Sequence, residues 1–267
     1  MYIDWFFTNG KAHHVCEDYA IDGNNCAIIS DGCSSSKHTD VGARLLAHSA
    51  RILLSGNLNW RHNDLGKAAI LKAAKLFKDF NMGYECLYAT LLTAKVMESG
   101  EISTHMYGDG IIIAISNKGI ETMEVSYTNN MPYYLAYSMD PKSMEAYKRF
   151  ENEVTIVHMV NGEIHDTLVA PYDYPIEYTF DPTQYHTVLI STDGLSSFED
   201  KQNMATIPLS VIANQVADFK VMKGAFIKRR LARVIEDLAV KKIFPLDDVG
   251  MAGIHLEEGE RKCLIAI

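Results

Sequence analysis

The sequence predicts an α+β protein built as a four-layer αββα sandwich, two antiparallel sheets face to face with helix pairs outside. Three observations carry that expectation. The chain runs in blocks: strands, two helices, many strands, two helices, and two closing strands, a pattern of packed layers. Connections such as Glu98-Ser99-Gly100 and Asn117-Lys118-Gly119 are short, as antiparallel neighbours allow. The helical segments each carry one apolar face, which a place outside a sheet pair would bury.

Taken in order, the strand candidates are IDWFF (3–7), NCAIIS (25–30), LYATLLTAKV (87–96), EISTHMY (101–107), IIIAIS (111–116) and GIETMEVS (119–126). EVTIVHMV and EIHDTLVA follow, joined at Asn161-Gly162, a dipeptide suited to a type I′ hairpin turn. HTVLIST (186–192), VGMAGIHLE (249–257) and KCLIAI (262–267) complete the set. A first helix should start at Thr39 or Asp40, either of them a suitable N-cap, and end near Ser55-Gly56. A second should span about 64–81, with Leu65, Ala68, Ala69, Leu76, Phe77 and Phe80 as its apolar face. Ile227, Leu231, Val234, Ile235 and Leu238 keep helical spacing later, and the basic run KRRLAR (228–233) reads as a solvated face. The Tyr-rich YYLAY and PYDYPIEY suggest a substrate-side flap within 140–180 or packing over a sheet edge. No linker, repeat or low-complexity stretch divides the chain, so residues 1–267 are expected to form a single domain.

A net charge of −9 argues against a nucleic-acid surface as the main partner. MYIDWFFTNGKAHH lacks the basic start and long apolar core of a signal peptide, and no apolar run approaches the roughly 20 residues of a membrane span. Five scattered cysteines (16, 26, 33, 86 and 263) show no CxxC pairing, which points to a reduced setting and away from a zinc site. A cytoplasmic protein without membrane or nucleic-acid partners is therefore expected, and a monomer.

The acidic residues carry the chemistry. AIISDGCSSS ends an apolar strand on Asp31-Gly32, VLISTDGL ends another on Asp193-Gly194, and HMYGDGIII places Asp109-Gly110 between two apolar runs. FPLDDVGMAG puts Asp247 and Asp248 before a further strand, and Glu17-Asp18 comes early in the chain. Asp-Gly alone is a favoured turn dipeptide, so any one corner has a bland explanation. Several carboxylates at strand ends of one sandwich are another matter, because buried charge needs a partner. Carboxylates with a glycine carbonyl are hard oxygen ligands suited to Mg²⁺ or Mn²⁺.

The ordered set CEDYA, ISDGCSSS, TDVGA, ATLLTA, YGDG, STDGL and DDVGMAGI resembles the type 2C metal-dependent protein serine/threonine phosphatases (the PPM family), in a bacterial-type form, over residues 10 to 257. The resemblance implies an αββα fold with a binuclear metal site at one edge, and Mn²⁺ or Mg²⁺, two or three ions, as cofactors. It implies that Asp31 bridges two ions, that the Gly32 carbonyl binds one, and that Asp193 and Asp247 complete the shell of the other. Glu17 and Asp18 would hold metal-bound waters, and Asp109 with Asp193 a third, weaker ion. Asp248 would buttress its neighbour, Asp40 would cap its helix, and Thr90 would be structural. Solvent bridging two cations loses a proton near neutral pH and can attack a phosphate monoester without a side-chain nucleophile. The implied activity is that of a phosphoric monoester hydrolase acting on a phosphorylated protein, a Ser/Thr kinase or its target.

Departures from the family pattern matter too. The usual phosphate-gripping Arg is replaced by His13, which cannot form a bidentate fork, so His13 is the candidate substrate-phosphate contact, with Lys37 and Arg44 next. Cys33 stands where eukaryotic relatives often have His, and no CxxxxxR loop surrounds it. TNNMPYYLAYS (128–138) replaces the usual Asp-His segment. The missing Arg leaves open an alternative, a catalytically silent phosphatase-like binding module.

Overall fold

A computed structural model describes residues 1–56, 62–77, 82–150, 152–171 and 175–259. Fifteen strands and five α-helices are found among them. One sheet has seven strands: β1 (Tyr2–Thr8), β15 (Val249–His255), β11 (Tyr185–Ser191), β6 (Gly110–Ser116), β7 (Gly119–Tyr127), β8 (Glu153–Val160) and β9 (Glu163–Pro171), in that spatial order. A second has β10 (Ile176–Phe180), β5 (Ile102–Tyr107), β4 (Leu91–Val96), β3 (Cys26–Ser30) and β2 (Tyr19–Gly23). Every pairing in both is antiparallel. A small third sheet joins β12 (Phe198–Asp200) to β13 (Ala205–Thr206) and β14 (Ile243–Pro245).

Side-chain alternation sorts the core into three layers. Ile29, Leu92, Ala94, Ile112, Ala114, Val188, Ile190 and Ala252 fill the space between the two large sheets. Their sequence neighbours point the other way. Ile28 and Leu91 meet α1 (Thr39–Leu54) and α2 (His62–Phe77), while Ile111, Ile113, Leu189 and Met251 meet α4 (Leu209–Ala217) and α5 (Phe226–Val240). A strand buried on both faces must be apolar throughout, which is why CAIIS and GIIIAIS read as unbroken runs. The αββα layering is thus the one the sequence predicts.

Several local expectations change. LYATLLTAKV enters its strand only at Leu91, because 84–87 form a 3₁₀ turn. Neither Thr39 nor Asp40 caps α1. The N-cap is His38, in the left-handed region at φ 59°, since the Thr39 hydroxyl donates instead to Glu17 Oε1 (2.9 Å) and the Cys33 carbonyl (3.2 Å). Leu76 is exposed, and Ile70 and Ala73 take its expected place in the core. Phe80 and the KCLIAI strand lie outside the described residues. The described residues of 140–180 form α3 (Pro141–Lys148), capped by Asp140, and strands β8, β9 and β10, of which β8 pairs with β7 and β10 with β5. The Asn161-Gly162 turn has positive φ at both residues, 53° and 87°, as a type I′ turn requires. No helix among the described residues is long and apolar enough to cross a membrane.

Candidate active site

Strand ends from both sheets deliver the acids to one place. A cavity of about 270 Å³ is lined by Asp31, Gly32, Asp109, Asp193 and Asp247, together with Cys33, Ser34, Ser35, Asn129, Asn130, Pro132 and Tyr134.

Each carboxylate is positioned by backbone. Asp31 lies one residue past β3, where Thr90 N–H donates to the Asp31 carbonyl (2.8 Å) and Asp31 N–H donates to Thr90 Oγ1 (3.1 Å). Gly32 packs so closely that a Cβ would sit 2.8 Å from the Thr39 carbonyl oxygen, so no side chain fits at that corner. Asp109 occupies the β5–β6 turn, flanked by Gly108 and Gly110 with φ of 96° and 141°. Asp193 opens a 3₁₀ turn directly after β11. Asp247 N–H donates to Ser197 Oγ (3.1 Å), and Asp248 N–H donates to Asp247 Oδ1 (2.8 Å).

Glu17, Asp18 and Asp248 stand behind the cavity. Asp18 is buried; its Oδ2 accepts from Thr192 Oγ1 (2.7 Å), and Oδ1 finds no hydrogen-bond partner among the described residues. Asp248, 2% exposed, accepts from Gly10 N–H (2.8 Å) and Glu17 N–H (2.7 Å), pinning the 10–17 segment to the site. His13 does not line the cavity. Its Nδ1 lies 3.2 Å from Asp248 Oδ2 and 3.4 Å from Asp247 Oδ1. His13, Glu17 and Asp248 together bring three potential ligand atoms within 4.8 Å of one another.

The charges are strongly opposed. Burial, reinforced by neighbouring carboxylates, raises Asp18 and Asp31 well above the ordinary aspartate range. The same causes push Asp109 up to about 8 and Asp193 to about 6. Among the described residues, no Lys, Arg or His lines the cavity to offset them. Four cavity carboxylates, a buried orphan oxygen on Asp18 behind them and no Lys, Arg or His among the described lining residues fit hard divalent ions.

Sequence reasoning did not single out Asn129, Asn130 or Tyr134. The Asn pair occupies consecutive left-handed positions, φ 59° and 52°, which Asn tolerates better than most residues and which cost strain of about 1–3 kcal/mol each in other non-glycine residues. Tyr134 stacks on Tyr88 (5.8 Å between centroids, 7° between planes) and meets Tyr137 edge-on (5.5 Å). The signal was present as the unusual TNNMPYYLAYS segment, but its side-chain direction was not.

An oxygen-lined edge on an αββα sandwich is the arrangement that the type 2C resemblance implies, and comparison with known proteins supplies the family. The model described as "Protein phosphatase 2C" matches residues 10–224. The chain belongs to the protein phosphatase 2C family. Among solved structures it is similar to a bacterial serine phosphatase (17% identity, TM-score 0.56, covering 96% of this chain and 98% of that one). The PPM Ser-Thr phosphatase MsPP from Mycobacterium smegmatis, in complex with cacodylate, aligns with 15% identity and a TM-score of 0.55, covering 96% and 99% of the two chains. The serine/threonine phosphatase PstP/Ppp of Mycobacterium tuberculosis aligns at 14% identity and TM-score 0.53, with the same coverage, 96% and 99%. No curated protein matches the sequence. At these identities the structural likeness speaks for the fold.

Proposed function

We propose that the protein is a Mn²⁺- or Mg²⁺-dependent phosphoprotein phosphatase that hydrolyses phosphoserine or phosphothreonine, with a Ser/Thr kinase or its target as substrate. One observation carries the proposal: four carboxylates surround a single cavity that, among the described residues, contains no cationic side chain, in a chain of the type 2C family. Asp31, the Gly32 carbonyl, Asp193 and Asp247 are the residues to hold two ions, and Asp109 with Asp193 a third and weaker one. Glu17 and Asp18 serve as acceptors for ordered water behind them. When bound, such ions lower the pKa of water towards neutrality and offset charge on the phosphoryl oxygens.

The rest falls to this chain's own side chains. Phosphoryl oxygens that do not reach an ion need hydrogen-bond donors, and the cavity offers only neutral ones. The Asn129 and Asn130 amides, the Ser34 and Ser35 hydroxyls and the Tyr134 phenol line it. Burial raises the Tyr134 phenol far above its ordinary value, so it keeps its proton and remains a donor. A rigid wall of neutral donors orients the phosphoryl group without cancelling the cations opposite. His13, in contact with two carboxylates, is assigned the positioning of Asp247 and Asp248.

The lack of a cationic phosphate grip favours a second reading, a catalytically silent phosphatase-like binding module. Hydrolysis of p-nitrophenyl phosphate separates the two. Chelated protein should be inactive, and added Mn²⁺ should restore turnover, Mg²⁺ and Ca²⁺ being compared beside it. Asp31→Asn and Asp193→Asn should each lower kcat by orders of magnitude with the fold intact. Turnover that survives thorough chelation sinks the metal mechanism; no turnover with any ion on a phosphopeptide supports the silent reading.

A further inference from the structure

A second cavity, of about 210 Å³, lies at the junction of α5 with the segment that joins it to α4, and shares no residue with the acidic one. Its floor is apolar: Phe219 and Phe226 meet edge to face at 5.3 Å, and Val221 beside them is 58% exposed. Its rim is cationic, made of Lys220, Arg229, Arg230 and Arg233. We propose that this cavity docks an acidic segment of a partner protein that inserts one aromatic or long aliphatic side chain between the arginines.

Charge selects the sign of the partner. Four cations face two carboxylates here: Asp218 pairs with Lys220 (2.8 Å) and Arg230 (3.4 Å), and Asp237 with Arg233 (3.1 Å). On a chain of net charge −9 this is a locally positive patch, so electrostatic complementarity steers an acidic segment to it. The basic run KRRLAR is therefore more than a solvated helix face, since Arg230 is only 21% exposed and turns inward.

Geometry selects the kind of ligand. Arg229 donates to the carbonyls of Val221 (3.3 Å) and Lys223 (2.7 Å), and Arg230 Nε donates to the Gln215 carbonyl (2.6 Å). Carbonyls fix the Arg229 guanidinium in place yet leave its charge uncancelled, so less ordering is lost on binding. The volume suits one large side chain and falls short of the roughly 300–1,000 Å³ typical of small-molecule pockets. An apolar anchor buried among arginines is also the usual composition of a strong contact at a protein interface. A partner held there is concentrated near the phosphatase domain whatever its phosphorylated site.

The test uses the whole chain and a fluorescein-labelled nonapeptide of Glu and Asp with one central Phe, read by fluorescence anisotropy. Binding should be saturable and weaken as salt is raised. It should drop by about tenfold or more when the peptide's Phe is replaced by Ala, and again in Arg229→Glu or Arg233→Glu protein. Both arginines are exposed; should charge reversal unfold the protein, Arg229→Gln and Lys220→Gln carry the same comparison. Metal-dependent hydrolysis of p-nitrophenyl phosphate should be unchanged in these variants, so its failure would be a separate matter. The proposal is overturned if wild-type protein does not bind the peptide, or if the variants bind it equally. Binding of ATP or of phosphatidylserine vesicles in place of the peptide overturns it too.

Discussion

At position 13 the ring nitrogen Nδ1 stands 3.2 Å from Asp248 Oδ2 and 3.4 Å from Asp247 Oδ1, where an imidazolium neutralises carboxylates. Burial works to lower the His13 pKa. The close contact with Asp248 and the charges of Asp247, Asp248 and Glu17 together outweigh it, and the net shift is upward. A residue so engaged acts on the carboxylates more than on substrate. His13→Ala should keep KM for a phosphopeptide within about twofold of wild type, while kcat falls and Mn²⁺ binds more weakly by isothermal titration. A KM raised about tenfold at unchanged kcat would instead make His13 the phosphate contact. The neutral wall predicts the complementary pattern. Tyr134→Phe keeps the ring between Tyr88 and Tyr137 and removes only the hydroxyl, so KM should rise by about 2–10-fold for one lost hydrogen bond. Asn130→Ala should do the same. No change of KM in either variant places the phosphoryl group elsewhere in the cavity.

Among the elements, two-sided burial explains what the sequence made legible. GIIIAIS, CAIIS and YHTVLIS were visible because both faces of each strand are covered, and the corners that follow two of them carry Asp31 and Asp193 at fixed places. The hairpin at Asn161-Gly162 was visible because only such residues accept its dihedrals. What escaped notice depended on distant partners. β2 and β10 are short and half-covered, and each takes its place from one neighbour, β3 and β5 respectively. α1 begins at Thr39 as expected, but its cap was missed because Thr39 turns its hydroxyl to Glu17, a contact between segments 22 residues apart. The cavity carboxylates were legible as a set, and the Asn and Tyr side chains that line it beside them were not, since nothing in TNNMPYY says which way its side chains point. The layer between the sheets can be probed directly. Ile112 is fully buried there, and Ile112→Ala should cost about 2–5 kcal/mol of stability in a denaturant titration. A loss below about 1 kcal/mol would mean that the two sheets do not close over that position.

For the molecule as a whole, the acidic edge couples folding to protons and, on the proposed function, to metal ions. Without ions, burial and neighbouring carboxylates push Asp109 up to about 8 and Asp193 to about 6, and raise Asp18 and Asp31 well above the ordinary range. In the unfolded chain the same groups ionise near their reference value of about 3.9. Between those limits the folded state binds more protons than the unfolded one, so stability falls as pH rises. The contribution is complete below pH of about 4 and is lost progressively as pH climbs through the folded-state values. Divalent ions bound there would compete with those protons for the same oxygens, so their stabilising effect would grow in the direction in which the protons leave. Thermal unfolding of chelated protein should therefore show Tm declining from pH 5 to pH 8, at about 2–4 °C per kcal/mol for a chain of about this size. Added Mn²⁺ should raise Tm little at pH 5 and much more at pH 8. Asp109→Asn, which removes one raised carboxylate, should flatten the decline of the chelated protein. A chelated Tm that is level or rising over this range would mean that these carboxylates are not buried together, and the metal site would fall with them.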